Sequence, residues 1–397
     1  MLIYRAGPLL LASLLLSACE RAAPLLPEPV GEPFASIAAG GHTTCALTVS
    51  GRAFCWGRGT SGQLGNGGTE SQPRPIPVAT ELRFVELAVG YYHSCGLVAD
   101  GSAYCWGARG DAMGQLGTGS RSATSVRPVR VDTRQRFRQI SAGQVHTCAL
   151  TAEGTAYCWG GNIRGQLGDG TGRNRGAPVR VTGGHQFASL EAGALHTCGA
   201  TTDGRALCWG DNFFGSVTGD PGTHTADSCP GTQDTRCTLT PHSLDTGVGF
   251  VAIGAGDALT CALTNTGGWW CWGGSAQESV PPLSVGSTLS AVAIAVGSGH
   301  ACALTQNGSV LCRGGNSLGQ LGTGSATLER SMEPLPVNGS HTFQSVASGI
   351  FHTCALAMDG AAYCWGGNRE GQLGHGSPHS CITSHPCARS PQPVRIH

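Results

Sequence analysis

The chain has 397 residues, of which only 12% are charged, and its 24 basic residues balance 24 acidic ones. Zero net charge at this length excludes a disordered polyelectrolyte and a strongly basic nucleic-acid binder, and leaves room for one large closed domain. Every basic residue is an arginine, which excludes chemistries that need a lysine, among them Schiff-base catalysis and the phosphate-cradling P-loop.

Residues 1–18 carry one early base, Arg5, and an apolar run from Leu9 to Leu16 that is too short to span a bilayer; they read as a signal peptide. The Leu16-Ser-Ala-Cys19 that follows resembles a bacterial lipobox. That resemblance implies cleavage before Cys19, with acyl chains on its sulfur and new amine, and several chains anchor stably where one is marginal. Residues 19–33, rich in Pro and Ala, are then a tether.

From residue 34 to 397 one phrase is written seven times. Its first cysteines are Cys45, Cys95, Cys148, Cys198, Cys261, Cys302 and Cys354, each followed ten residues later by a second, usually within Cys-Trp-Gly. Successive copies lie 41 to 63 residues apart. A period near fifty built from short β-type runs points to propeller blades, not to a helical solenoid.

In the third copy, His146 to Leu150 and Thr155 to Trp159 are β-prone runs separated by the turn chemistry of Thr151-Ala-Glu-Gly154, so they predict a hairpin. Centred on Glu153, that hairpin sets Cys148 opposite Cys158, within disulfide reach. The same register pairs Cys45 with Cys55, Cys95 with Cys105, Cys198 with Cys208, Cys261 with Cys271, Cys302 with Cys312 and Cys354 with Cys364. Of 19 cysteines, these account for fourteen; Cys229 with Cys237 and Cys381 with Cys387 close the set and leave only Cys19. Thiols paired at constant spacing belong in an oxidising compartment. No metal or cofactor site is expected, because the pairs are isolated in separate blades.

A Phe-x-x-Ile/Leu/Val run precedes each hairpin, as at Phe84, Phe137, Phe187 and Phe343, and a Pro-Val segment precedes that, as at Pro77, Pro128, Pro178 and Pro336. Grouped so, each blade has four strands with the Pro-bearing one outermost. The first copy lacks an upstream Pro-Val segment at the spacing of the others, its Pro29-Val30 standing closer to Phe34, and Pro391 to Ile396 is a spare one, so the C-terminal strand is expected to complete the N-terminal blade and close the ring.

Along the copies, His93, His146, His196, His300 and His352 recur at one position and are expected to be structural. Arg109-Gly110-Asp111 is a chance tripeptide, and Arg127, Arg130, Arg134, Arg136 and Arg138 are a solvated face. Blades four to six are degenerate. Blade four carries an insertion from Gly219 to Thr240; blade five has Leu259 in the His position and no Gly-Gln-Leu-Gly segment after Trp272; blade six has Arg313 in place of the Trp. Blade seven ends in a second insertion, from His375 to Pro391. Loops on a rigid scaffold are where binding concentrates, and cross-linking lowers their ordering cost. The expected partner-binding residues are therefore Phe213, Phe214, His224, Arg236, His379, Ile382 and His385.

These motifs, with Gly-Gln-Leu-Gly intact at 62–65, 114–117, 165–168, 319–322 and 371–374, resemble the repeats of the RCC1 (regulator of chromosome condensation) family. The resemblance implies an all-β, seven-bladed propeller over residues 34–397. Function is then expected to be binding or scaffolding of a protein or other envelope macromolecule, without catalysis or nucleic acid. The chain would be a monomer, held to the membrane of a bacterial cell envelope through its lipid alone. The alternatives are guanine-nucleotide exchange on a small GTPase, or inhibition of a secreted enzyme. A glycosidase or lyase would need carboxylates gathered at one mouth, and Asp203, Glu278, Glu333, Asp359 and Glu370 lie in different blades.

Overall fold

A computed structural model describes residues 32–108, 112–220, 229, 236–275, 278–286, 290–376, 380–382 and 385–394. They form seven antiparallel sheets in sequence order, six of four strands and a last one of five. Blade one is Phe34–Gly40, Thr43–Thr48, Ala53–Gly57 and Gln72–Pro77, counted from the innermost strand outward. Blade seven is Phe343–Ser348, His352–Ala357, Ala362–Gly367 and His385–Pro393, with Ser380–Ile382 added at its edge.

The seven-bladed propeller stands, but two expectations about how its strands are grouped do not. The Pro-Val strand follows its hairpin: Gln72–Pro77 pairs with the third strand of blade one, and every later blade repeats this. The C-terminal strand therefore does not complete blade one. It pairs with Ala362–Gly367 of blade seven, in the register Tyr363 to Pro393, and Val394 N–H donates to Ala362 O. The Val394 side chain does cross, packing with Phe34 and Trp56 of blade one. Both insertions consequently sit inside a blade, between its third and outermost strands, not between blades.

Each hairpin sets its two cysteines directly opposite, Cys148 against Cys158 for example, and all seven pairs are bonded with Cα atoms 4.0 to 4.1 Å apart. Cys229 and Cys237 are bonded as well. Cys387 is disulfide-bonded, while the side chain of Cys381 and all of Cys19 lie outside the described residues.

Six of the seven joints share one clasp, built from the Gly-Gln-Leu-Gly loop that follows the third strand, or from its Gly215-Ser-Val counterpart in blade four. In blade three, Gln166 braces its own loop by accepting from Arg164 N–H at 2.9 Å, and Leu167 is fully buried. The Gln166 carbonyl then accepts two bonds from blade four, from Trp209 Nε1–H at 2.9 Å and from Thr197 Oγ1–H at 2.8 Å. With the Thr197 proton committed there, His146 Nε2 must donate to Thr197 Oγ1, 2.9 Å away. The final glycine is obligatory: Gly168 has φ +63°, and a Cβ on it would lie 2.7 Å from Trp209 Nε1.

The indole bond recurs at Trp56, Trp106, Trp159, Trp272 and Trp365, at 2.9 to 3.0 Å. At the junction of blades seven and one, Gln372 O accepts from both Trp56 and Thr44, and His352 reaches Thr44 Oγ1 at 2.9 Å. The ring thus closes with the same joint that builds it. The five repeated histidines are structural groups; burial pulls His93, His146 and His352 down to about 3 and His196 and His300 to about 4. They stay neutral at any ordinary pH.

Candidate binding face

The third strand of each blade ends opposite the turn between its first and second strands: Arg58 N–H donates to His42 O at 2.9 Å. The Gly-Gln-Leu-Gly loops, both insertions and the inner turns therefore share one face of the ring. On that face the buried Asn of each Gly-Asn-x-x-Gly segment organises the loop, and the two residues after it point outward. Asn212, fully buried, accepts from Val217 N–H and Thr218 N–H, both at 3.0 Å, and donates to Asp220 O at 3.1 Å.

What this presents is Phe213 and Phe214, ring centroids 4.8 Å apart and edge-on, with the Arg236 guanidinium 4.0 Å from the Phe213 centroid. Arg236 is held there because its carbonyl accepts from Asn212 N–H at 2.8 Å, one residue before the disulfide-bonded Cys237. Phe213 is 38% exposed and Ile163, at the matching position of blade three, 48%. Between them Arg164 pairs with Asp211 at 3.4 Å. The result is an apolar and guanidinium-bearing patch carried on rigid loops, chemistry typical of the anchors of protein interfaces.

Of the expected binding residues, Phe213, Phe214 and Arg236 are brought together. His224 and His379 lie outside the described residues. Ile382 and His385 pair directly across the strand edge added to blade seven, and their side chains lie outside the described set. The arginine series is split: Arg138 reaches Phe187 O and Ala188 O at 2.9 and 3.0 Å, and Arg136 faces Asp100 at 3.8 Å on the exposed surface. Arg109, Gly110 and Asp111 are outside the described residues.

The axial channel holds groups that the repeat pattern did not single out. A cavity of about 260 Å³ is lined by the innermost strands, among them Glu86 of blade two, Ser141 of blade three and Glu191 of blade four. Glu191 accepts from Ser141 Oγ at 2.7 Å, and Glu86 accepts weakly from Ile140 N–H at 3.4 Å. Burial pushes both carboxyls up to about 7, and for Glu86 the Glu191 charge adds to it; burial also raises Asp257. The available signal was register: these carboxylates stand two and four residues after their blade's Phe84 and Phe187, on the strand edge nearest the axis. Among the described residues no three His, Cys, Asp or Glu side chains gather to hold a metal ion.

Residues 17–280 match the family model of the RCC1-like domain, and residues 291–320, 343–372, 307–356 and 359–396 match models of the RCC1 repeat. The ultraviolet-B receptor UVR8 of Arabidopsis thaliana is 29% identical over 360 residues, 86% of this chain and 67% of that protein. The E3 ubiquitin-protein ligase HERC2 of Homo sapiens is 28% identical over 91% of this chain, which spans only 6% of that ligase. Among solved structures, Prp20p of Saccharomyces cerevisiae superposes with a TM-score of 0.74 at 22% identity, covering 88% of this chain and 87% of that one. Human WBSCR16 gives 0.70 at 23% identity, covering 83% and 87%. At these identities the solved structures speak for the fold.

Proposed function

The chain belongs to the RCC1 repeat family, and from that premise we propose that its ring is a protein-binding module, exported and lipid-anchored, that engages its partner through the loop-bearing face. The observation that carries this is the Phe213, Phe214 and Arg236 cluster, exposed yet fixed by the buried Asn212 and the Cys229–Cys237 bond. An aromatic pair pre-set in this way loses little conformational freedom on binding. The solved RCC1-like propellers include Prp20p, whose structure was described with its binding to Gsp1p and histones, and a complex of Kap60 with yeast RCC1. Proteins with propellers of this shape therefore include ones that bind other proteins.

Export is supported by eight described disulfides, seven of them one to a hairpin, because such a set persists only in an oxidising compartment. Anchoring is supported by Cys19, the one cysteine that the pairing scheme leaves over. Two measurements test the reading. Affinity capture with the wild-type ring is compared with Phe213→Ser and Arg236→Ala; loss of a buried aromatic or arginine anchor weakens binding by about thirtyfold or more, and unchanged capture by both variants would put the partner elsewhere. Mass analysis of the mature N-terminus should show an acylated Cys19, and a chain retaining Arg5 would sink the anchor.

A further inference from the structure

The interface between blades five and six lacks every part of the clasp at once. Leu259 stands in the His position and Ala301 in the Thr position opposite it; Arg313 stands in the Trp position. Blade five has no loop to offer, since its third strand ends at Ser275 and its outermost begins at Glu278, with two residues between them. Two residues cannot form a Gly-Gln-Leu-Gly turn.

At the other regular joints this loop lies across the outermost strand of the next blade. A Cβ on Gly371 would meet Pro73 at 2.5 Å, one on Gly62 would meet Val126 at 3.1 Å, and one on Gly319 would meet Arg389 at 2.8 Å. The equivalent residue of blade six, one past the Gly314 to Ser331 pair, is Met332. Among the described residues no such loop lies over it, and it is 42% exposed. Beneath it Arg313 Nη2 reaches Met332 Sδ at 3.9 Å. Arg313 is only 8% exposed, yet no carboxylate among the described residues forms an ion pair with it; Glu333 acts on it only at a distance. Burial pulls its guanidinium below the usual range, the mark of an incompletely compensated cation.

We propose that this vacant berth, with Arg313 at its floor and Met332 at its lip, is a docking groove for a partner protein's loop that carries a carboxylate beside an apolar side chain. The occupant's chemistry follows from the two sides. Where the other joints present an indole N–H to a carbonyl, this one presents a guanidinium, whose fork of donors suits a carboxylate; where they bury a leucine, this one offers a thioether. The proposal rests on the reading of the ring as a protein binder but uses a surface separate from Phe213.

The probe is the acetylated and amidated heptapeptide NSLGELG, which copies the loop of blade six with its glutamine replaced, against the parent NSLGQLG. Binding to the full chain and to each variant is followed by isothermal titration calorimetry, and in the wild type also by NMR at the Arg313 Nε–H, assigned by its disappearance in Arg313→Trp. The acidic peptide should bind saturably and about tenfold more tightly than the neutral one. Arg313→Lys should keep the preference, and Arg313→Trp should abolish it. Near-ultraviolet circular dichroism reports that each variant is folded. Equal binding of both peptides, no binding at millimolar concentration, or full displacement of the acidic peptide by an equal concentration of inorganic phosphate would overturn the proposal, the last in favour of a simple anion site. Phe213→Ser should leave peptide binding untouched, so the failure of one surface can be told from the failure of the other.

Discussion

Acidification should loosen this ring in a way the buried histidines allow to be calculated. Between about pH 5 and 6 an unfolded chain protonates its histidines, near 6.5, whereas the five in the clasps stay neutral because burial holds them at about 3 to 4. In that window the unfolded state binds five more protons there. Glu86 and Glu191 act oppositely: raised to about 7, they hold protons in the folded ring that the unfolded chain, near 4.5, has released. The net difference is three protons taken up on unfolding, so stability should fall by roughly 4 kcal/mol for each pH unit lost, at 1.36 kcal/mol per proton. His42, lowered mainly by burial, adds to this slope and Asp257, raised by burial, subtracts. The assay is urea unfolding with disulfides intact, followed by tryptophan fluorescence, at several pH values from 5 to 6.5. His146→Leu with Thr197→Ala copies the Leu259 and Ala301 pair and removes one of the five protons, so its slope should drop by about a third. A stability independent of pH in this window, or rising as pH falls, would refute this account of the clasps.

Gly168→Ala should cost about 3 kcal/mol, since it adds left-handed strain and drives a methyl into the Trp209 indole, whereas Gly184→Ala, with φ +66° but nothing within 4 Å, should cost only about 1 kcal/mol. Thermal or urea midpoints of the two variants check this. Cys148→Ala with Cys158→Ala should cost roughly 2.5–3 kcal/mol by the loop-entropy estimate, read from the same unfolding curves under non-reducing conditions. Native-state hydrogen exchange should find the innermost strand of blade six, Ala291–Val296, opening before that of blade one, Phe34–Gly40, because the joint that precedes blade six lacks the clasp and the one that precedes blade one has all of it. The indole N–H groups of Trp56, Trp106, Trp159, Trp209, Trp272 and Trp365 should form one slowly exchanging set of six.

Hairpin register was open to reading because the ten-residue cysteine spacing is constant and an antiparallel pair has one register for each turn. The grouping of strands was not, because a cyclic repeat can be cut anywhere: Pro77-Val78 precedes Phe84 and follows Trp56 equally well on paper. Phe213, Phe214 and Arg236 could be grouped on paper because they flank an insertion, and the fold brings them together. Glu86 and Glu191 were missed because isolated acids in separate repeats meet only when the inner strands are rolled around an axis. The losses at Leu259, Arg313 and the segment after Trp272 were each visible, but that they fall on one joint requires knowing that each blade's His meets the next blade's Thr.

The position of the weak joint bears on how the ring is held shut. A propeller that exchanges its terminal strand places its closure where the ends meet. Here that junction carries the whole clasp, with Thr44 and Trp56 both on Gln372 O and His352 behind Thr44, so the termini are as firmly joined as any neighbouring pair. The joint without these side-chain clasps lies instead between blades five and six, where Trp269, Ala291, Val296 and Ala303 pack together and Ala291 N–H donates to Gly267 O at 2.9 Å. Apolar contact is non-directional and tolerates small shifts, whereas a buried indole bond does not. At this joint Leu259 and Ala301 take both places of a His and Thr pair, so neither position leaves a buried polar group without its partner. The joint between blades five and six is therefore a seam at which the ring can yield or admit another loop without opening at its ends.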